Sequence, residues 1–273
     1  MKTVLTILAS LMLVSTAFAQ WGDFDNTPYA PGFYVQAYPS FSTASSVYDS
    51  EGESWDYVDS WTSFAFAARP SYYGMMNENR WMVSAVLPVV SYSPPVGESE
   101  TGISDIQLSA AYWIIDEHQT GTYLSAWLWT DIPTGDDAKG LGTGQLNLRP
   151  GIAFTKEAPQ YRLQASAYYN LRLENSDLNW KPGDELWANV GFGYAVNPQF
   201  MPGLEIQTGW GQDSKFNDVT WPDSKTQWLR LGPYFEYQLN PQLGFQLGGL
   251  YNVMGKNSQA SLDIQGRVTW SIQ

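Results

Sequence analysis

From Gly32 onward the chain falls into segments of about ten residues in which apolar and polar side chains alternate, and this period of two constrains the fold more than any other feature. Successive side chains of a strand point to opposite faces, so the repeat describes sheets with one apolar and one polar side. It is clearest near the C terminus, where Ala260, Leu262, Ile264, Val268, Trp270 and Ile272 share one parity and Gln259, Ser261, Asp263, Gln265, Arg267 and Thr269 the other. Residues 161–173 repeat it, with Tyr161, Leu163, Ala165, Ala167, Tyr169 and Leu171 opposing Arg162, Gln164, Ser166, Asn170 and Arg172. Around Tyr123 to Asp131 the parity is ambiguous, because Leu124 and Leu128 oppose Trp127 and Trp129. Twelve strands are predicted, at 32–42, 61–72, 80–91, 103–115, 122–131, 145–156, 161–173, 184–195, 203–210, 227–237, 244–254 and 259–272.

Alternation alone fits a soluble β-sandwich as well as a membrane barrel. Two further patterns separate them. The connections alternate in length: long at about 43–60, 92–102, 132–144, 174–183 and 211–226, short at 73–79, 116–121, 157–160, 196–202 and 238–243, with only 255–258 out of step. Long loops on one rim and tight turns on the other are the plan of an outer-membrane barrel. The short-turn ends also carry aromatic residues on the apolar face: Phe33, Tyr72, Trp81, Tyr112, Phe154, Tyr161, Tyr194, Tyr237, Phe245 and Trp270. A sandwich gives rings no reason to gather at one end, whereas a membrane interface does. The predicted fold is therefore all-β, a transmembrane antiparallel up-and-down barrel of twelve strands in the outer membrane of a Gram-negative bacterium. Its surroundings would be outer-membrane lipid and lipopolysaccharide.

Residues 1–19 read as a secretory signal, with Lys2, the apolar run Val4 to Val14 and the small-residue site Ala17-Phe18-Ala19, leaving 20–273 as the barrel. No later apolar run approaches the ~18 residues of a spanning helix. The mean hydropathy of −0.29 decides nothing, because lipid-facing and lumen-facing residues cancel. Cysteine is absent, which excludes disulfides and thiolate metal sites. A net charge of −13, or −14 without Lys2, argues against nucleic acid as a partner.

Catalytic constellations are not evident. The single histidine, His118, falls in a short turn between Asp116, Glu117 and polar residues, with no serine placed beside it. Glu205 and Glu236 read more simply as lumen partners of arginine than as an acid and base. Gly140 to Gly144 lacks the Lys-Ser/Thr ending and the helix of a nucleotide loop. Neither a cofactor nor a metal site is predicted. The acidic stretch Asp49, Glu51, Glu53, Asp56 and Asp59 reads as a solvated face, with a hard divalent cation as the alternative.

One stretch carries a motif: Gly102-Ile103-Ser104-Asp105-Ile106, then Pro133-Thr134-Gly135-Asp136, then Gly140-Leu141-Gly142-Thr143-Gly144-Gln145. This resembles the outer-membrane family labelled MetA-pathway of phenol degradation, in layout over most of the mature chain and most sharply over 102–155. The resemblance implies a transporter of aromatic or other hydrophobic compounds. Ser104 stands where the family usually has glycine, and the chain ends Trp270-Ser271-Ile272-Gln273 rather than on an aromatic residue. Pro133 and the glycines suit a tight extracellular loop able to fold inward, which Asp136 and Asp137 would order through side-chain to backbone bonds.

Parity turns Arg69, Asp105, Arg149, Arg162, Arg172, Glu205, Arg230, Glu236, Asp263 and Arg267 inward. Tyr168, Trp187 and Trp228 join them as a candidate path for a ring-bearing permeant. Such a charge ladder both rigidifies a lumen and selects what passes. The reading is a non-enzymatic channel for passive diffusion of small hydrophobic or aromatic molecules. Two others stay open at this stage: a structural or adhesive barrel acting through its acidic, aromatic loops, and a barrel enzyme acting on lipid.

Overall fold

The computed structural model describes residues 26–272; the predicted signal segment 1–19 lies outside the described residues.

 Twelve long antiparallel strands form one sheet that closes on itself: β1 Gly32–Tyr48, β2 Ser54–Met76, β3 Asn79–Ser93, β4 Ile106–Glu117, β5 Thr122–Ile132, β6 Asn147–Ala158, β7 Tyr161–Arg172, β8 Glu185–Tyr194, β9 Phe200–Gly211, β10 Gln227–Asn240, β11 Leu243–Lys256 and β12 Ser258–Ile272. Each pairs with its neighbours in sequence, and β12 returns to β1 in a register running from Phe33↔Ile272 to Tyr48↔Ser258. Closure leaves no sheet edge in the hydrocarbon layer, where an unpaired backbone group costs several kcal/mol.

The burial pattern follows the alternation but is inverted relative to a soluble protein. Outward positions are exposed aliphatic side chains, as in the row Val190↔Ile206↔Leu231 across β8, β9 and β10. Inward positions are buried and largely polar. The aromatic residues expected at the short-turn end face outward and meet across strands: Phe33 is level with Tyr72, Trp81 with Tyr112, Tyr161 with Tyr194 and Tyr237 with Phe245. Tyr72 and Trp81 are in ring contact at 5.6 Å. This is the interfacial girdle that alternation and ring position predict.

The ambiguous fifth strand is resolved by its polar members. Tyr123, Ser125, Trp127, Trp129 and Asp131 face the lumen, while Leu128 is 47% exposed on the outside.

The turns at one rim are short, at 77–78, 118–121, 159–160, 195–199 and 241–242, and 94–105, 133–146, 173–184 and 212–226 on the other are long. The Asn-Pro-Gln pairs share one turn chemistry: Asn197 Oδ1 accepts from the N–H groups of Gln199 and Phe200, and Asn240 Oδ1 from those of Gln242 and Leu243.

The expected long connection at 43–60 is a correction. β1 and β2 continue as a hairpin to a turn at 49–53, because Val47, Trp55, Tyr57 and Val58 sustain strand propensity past the membrane. Asp56 and Asp59 therefore lie on β2. Asp49 organises the turn: its Oδ1 accepts from the N–H groups of Glu51 and Glu53, each at 2.9 Å, and its Oδ2 from the Trp55 indole at 2.7 Å. Above Leu87, β3 leaves β4 and pairs instead with the short strand Glu100–Ile103. Three two-residue strands at Trp180–Lys181, Lys215–Phe216 and Val219–Thr220 tie two long loops together.

Replacing Ile206 by arginine, in the middle of the outward aliphatic band, should lower stability by about 2–4 kcal/mol in urea titrations of the vesicle-inserted barrel. The Trp55 indole bond holds the Asp49 carboxyl below the usual aspartate range, helped by the backbone N–H groups. A lowered folded value means that the contribution is present above the ordinary pKa and lost as pH falls through the folded one. The indole N–H resonance of Trp55 should accordingly shift on acidification below about pH 4, and Asp49→Asn should abolish that step.

Candidate functional site

The lumen is narrowed from both ends by chain that is not part of the wall. At the extracellular end, the loop 133–146 folds inward. Leu141, 3% exposed, packs on the inward residues Ala65, Val90 and Tyr92. Asp105 pins this loop. Its Oδ1 accepts from the N–H groups of Thr134 (3.1 Å) and Gly135 (2.9 Å), and its Oδ2 from the N–H (2.7 Å) and hydroxyl (2.8 Å) of Thr143. Asp105 is thus a correction to the list of lumen charges: it precedes β4, and both its oxygens are taken up by the loop.

The remaining motif residues serve the same fold. Thr134 Oγ1 accepts from the Ile106 N–H, Asp136 caps the 3-10 turn Asp137–Lys139, and Asp137 accepts from Asn175 Nδ2 at 2.9 Å. Pro133 leads from β5 into the turn, and Gly144 (φ +64°) leads out. A Cβ at Gly142 would lie 2.5 Å from Asp105 Oδ1, and Gly140 combines φ +69° with the Tyr92 hydroxyl at 2.5 Å from any Cβ. The motif is a device for laying a loop into the lumen.

At the periplasmic end, residues 26–30 enter the barrel. Asn26 is buried: it donates from Nδ2 to Thr155 Oγ1 at 3.0 Å, accepts the Trp113 indole on its carbonyl at 2.7 Å, and accepts from the Ser125 hydroxyl. Thr27 donates to Glu157 at 2.8 Å. Arg80 donates to the carbonyls of Pro28 (2.7 Å) and Tyr29 (3.2 Å) and forms an ion pair with Asp116. The Tyr29 ring stacks on Tyr34 at 4.8 Å and meets Tyr73 edge-on at 5.3 Å. His118 sits beside this cluster, 3.3 Å from Arg80 Nη2.

Between these two obstructions run the predicted charges. Arg149 pairs with Asp131, Arg172 with Glu185, Arg230 with Asp263 at 3.6 Å, and Arg162 with both Glu157 (2.7 Å) and Glu236 (2.5 Å). Glu205 accepts from Gln207 at 2.5 Å, Arg69 donates to Ser84 at 2.9 Å, and Arg267 lines the periplasmic cavity. Breaking one buried pair costs about 3–5 kcal/mol, so the pairs closed to solvent stiffen the wall, and the half-open Arg162 cluster is the one a solute can meet.

The aromatic residues form a continuous arc. Trp127, Tyr168, Trp187 and Trp228 stand level in the register, separated only by Gly151 and Gly209. Ring centroids lie 5.3 Å apart for Trp127–Tyr168 and Tyr168–Trp187, and 4.5 Å for Trp187–Trp228. Arg230 lies over Trp228 at 4.8 Å, and Arg69 over Trp129 at 4.9 Å. Trp127, Trp129 and Arg80 are absent from the sequence-predicted set. The usable signal was Ser125 and Asp131, whose polarity assigns the parity of Trp127 and Trp129 to the lumen. Among the described residues no cluster of His, Asp and Glu is arranged to hold a metal ion.

The model of the family described as MetA-pathway of phenol degradation matches residues 16–268. No curated protein matches this chain. Among solved structures, the COG4313 outer membrane channel from Pseudomonas putida F1 superposes with a TM-score of 0.82 at 16% identity, over 91% of this chain and 98% of that one. The KdgM porin gives 0.51 at 9% identity, over 88% and 99%. A TodX mutant, a monoaromatic hydrocarbon channel, gives 0.50 at 11%, over 93% and 94%. These likenesses carry the barrel fold.

Asp105→Ala should free the inward loop while leaving the barrel folded. Because one hydrogen bond to a charged group contributes about 1.5–3 kcal/mol, trypsin cleavage after Lys139 in the vesicle-inserted protein should accelerate on the order of tenfold or more.

Proposed function

Since the chain belongs to the MetA-pathway of phenol degradation family, we propose that it is a passive outer-membrane channel for small hydrophobic or aromatic molecules. The observation that carries this reading is the arc of Trp127, Tyr168, Trp187 and Trp228 inside a lumen narrowed from both ends. The rings pack on one another with Tyr168, Trp187 and Trp228 buried and Trp127 the more open end of the arc, so a ring-bearing solute passes by replacing ring–ring contacts with its own offset or edge-on ones, while the two obstructions hold back large hydrated solutes. The TodX channel, whose description names monoaromatic hydrocarbons, has a similar fold and supports the same substrate class. Movement is downhill, driven by the concentration difference. Export would remove residues 1–19, and the loops would sit among lipopolysaccharide headgroups. The Arg162 cluster and Arg267 give the passage near the periplasmic mouth a polar, charged lining.

The test is efflux from liposomes carrying the refolded mature chain, comparing phenol-like compounds with sugars of similar size. Selective efflux of the aromatic solutes is expected. Trp187→Ala or Trp228→Ala should lower the aromatic-to-sugar flux ratio about two- to tenfold, from the loss of one ring contact of about 0.5–1.5 kcal/mol. A correctly folded barrel that passes neither solute overturns the reading.

A further inference from the structure

Resting on that channel reading, we propose that permeants leave the lumen through an off-centre chamber between residues 26–30 and the periplasmic ends of β7 to β12, with the segment 26–30 remaining seated. A cavity of about 570 Å³ occupies this position, bounded on one side by Thr27, Tyr29 and Ala30 and on the other by Arg162, Met201 and Glu236. A cavity of about 150 Å³ already admits benzene, so the chamber holds a single-ring solute with room for water.

The wall explains why the chamber stays open. Along the register from β7 to β10, Arg162 is followed by Gly193, Gly203 and Tyr234. With no side chain at the two middle positions, Arg162 lies along the wall and reaches Glu236 on β10 rather than crossing the mouth. Tyr234 lies flat over Gly203, where a Cβ would strike its ring, and a Cβ at Gly193 would lie 2.8 Å from the Tyr234 hydroxyl and from Met201 Sδ. Inward glycines are concentrated on this side: below the aromatic arc Gly191, Gly193, Gly203, Gly232, Gly244 and Gly248 all lie on β8 to β11, and among the described residues the other strands add only Gly32, at the very start of β1.

The opposite side is closed by stronger bonds. Displacing the segment would break the contacts of Asn26, Thr27, Pro28 and Tyr29 with Thr155, Trp113, Glu157 and Arg80, most of them buried. Each buried polar group left unpaired costs about 1–3 kcal/mol. Exit through the chamber breaks none of them. Gln246, inward on β11 and 4% exposed, has neither amide atom hydrogen-bonded. It stands level with Glu236, a residue of the chamber wall, and its carboxamide keeps an unused NH2 group and an unused carbonyl, the chemistry that a solute carrying a hydroxyl would engage.

The chain has no cysteine, so introduced thiols are unambiguous. Efflux of phenol is measured for three variants in liposomes. Met201→Cys, treated with a bulky thiol reagent, should lose at least several-fold of its flux, while Glu78→Cys on the 77–78 turn, treated alike, should keep it. The double variant Asn26→Cys, Thr155→Cys, which locks the segment to β6 when oxidised, should conduct equally before and after reduction. Flux blocked by the disulfide and restored by reduction, or unaffected by modification at Met201, overturns the proposal. If the double variant does not fold, modification at Met201 alone decides. Failure of the unmodified chain to pass phenol at all would instead remove the channel reading beneath it.

Discussion

Everything in this molecule depends on the seam between β1 and β12. A sheet in lipid must satisfy each backbone donor and acceptor internally, and only the return of the last strand to the first does so for the outer two. That seam fixes the antiparallel order, the even number of strands and the division into an apolar outside and a polar inside. It also sets the bore. Twelve strands enclose more space than the wall's own side chains fill, in contrast to eight-stranded barrels. The surplus is taken up by chain drawn in from both ends, by Asp105 above and Arg80 below.

The two inward pieces are held by the same kind of bond. Each is peptide backbone gripped by one buried charged side chain, a carboxylate accepting from N–H groups in one case and a guanidinium donating to carbonyls in the other. Such charge-assisted bonds are about twice as strong as neutral ones. A few residues therefore suffice to hold irregular backbone in a lumen. The arginine ladder, the aromatic arc and the bare glycine wall then divide the remaining space into a stiff polar side, a ring-lined band and an opening.

Much of this was legible in the sequence, because a barrel in lipid repeats one rule. Parity alone turned Tyr168, Trp187, Trp228 and most of the charged residues inward, and loop length separated the rims. What escaped lay where the rule has no purchase. Asp105 has the parity of a lumen charge, yet its fate is decided by a loop some thirty residues later, a tertiary contact that alternation cannot register. The extension of β1 and β2 past residue 43 was hidden by acidic residues that look like a loop and sit on a solvated strand. Arg80 stood at a predicted strand end, with nothing local to show that it would grip Pro28 and Tyr29. Asn26 lies outside any alternating segment, and its partners are 87 to 129 residues away.

The seating of Asn26 also bears on how the barrel is assembled. Its partners lie on β4, β5 and β6, while the chain that follows it becomes β1, one side of the seam. The segment is thus inside a ring whose final joint is made by the strand it leads into. Its bonds to Thr155 and Trp113 form only as the sheet curls around it or after it threads a finished mouth. In the first case the N-terminal residues act as a template on which β4 to β6 gather before β12 seals the circle, so that the order of closure is written into the same few polar atoms that later narrow the bore.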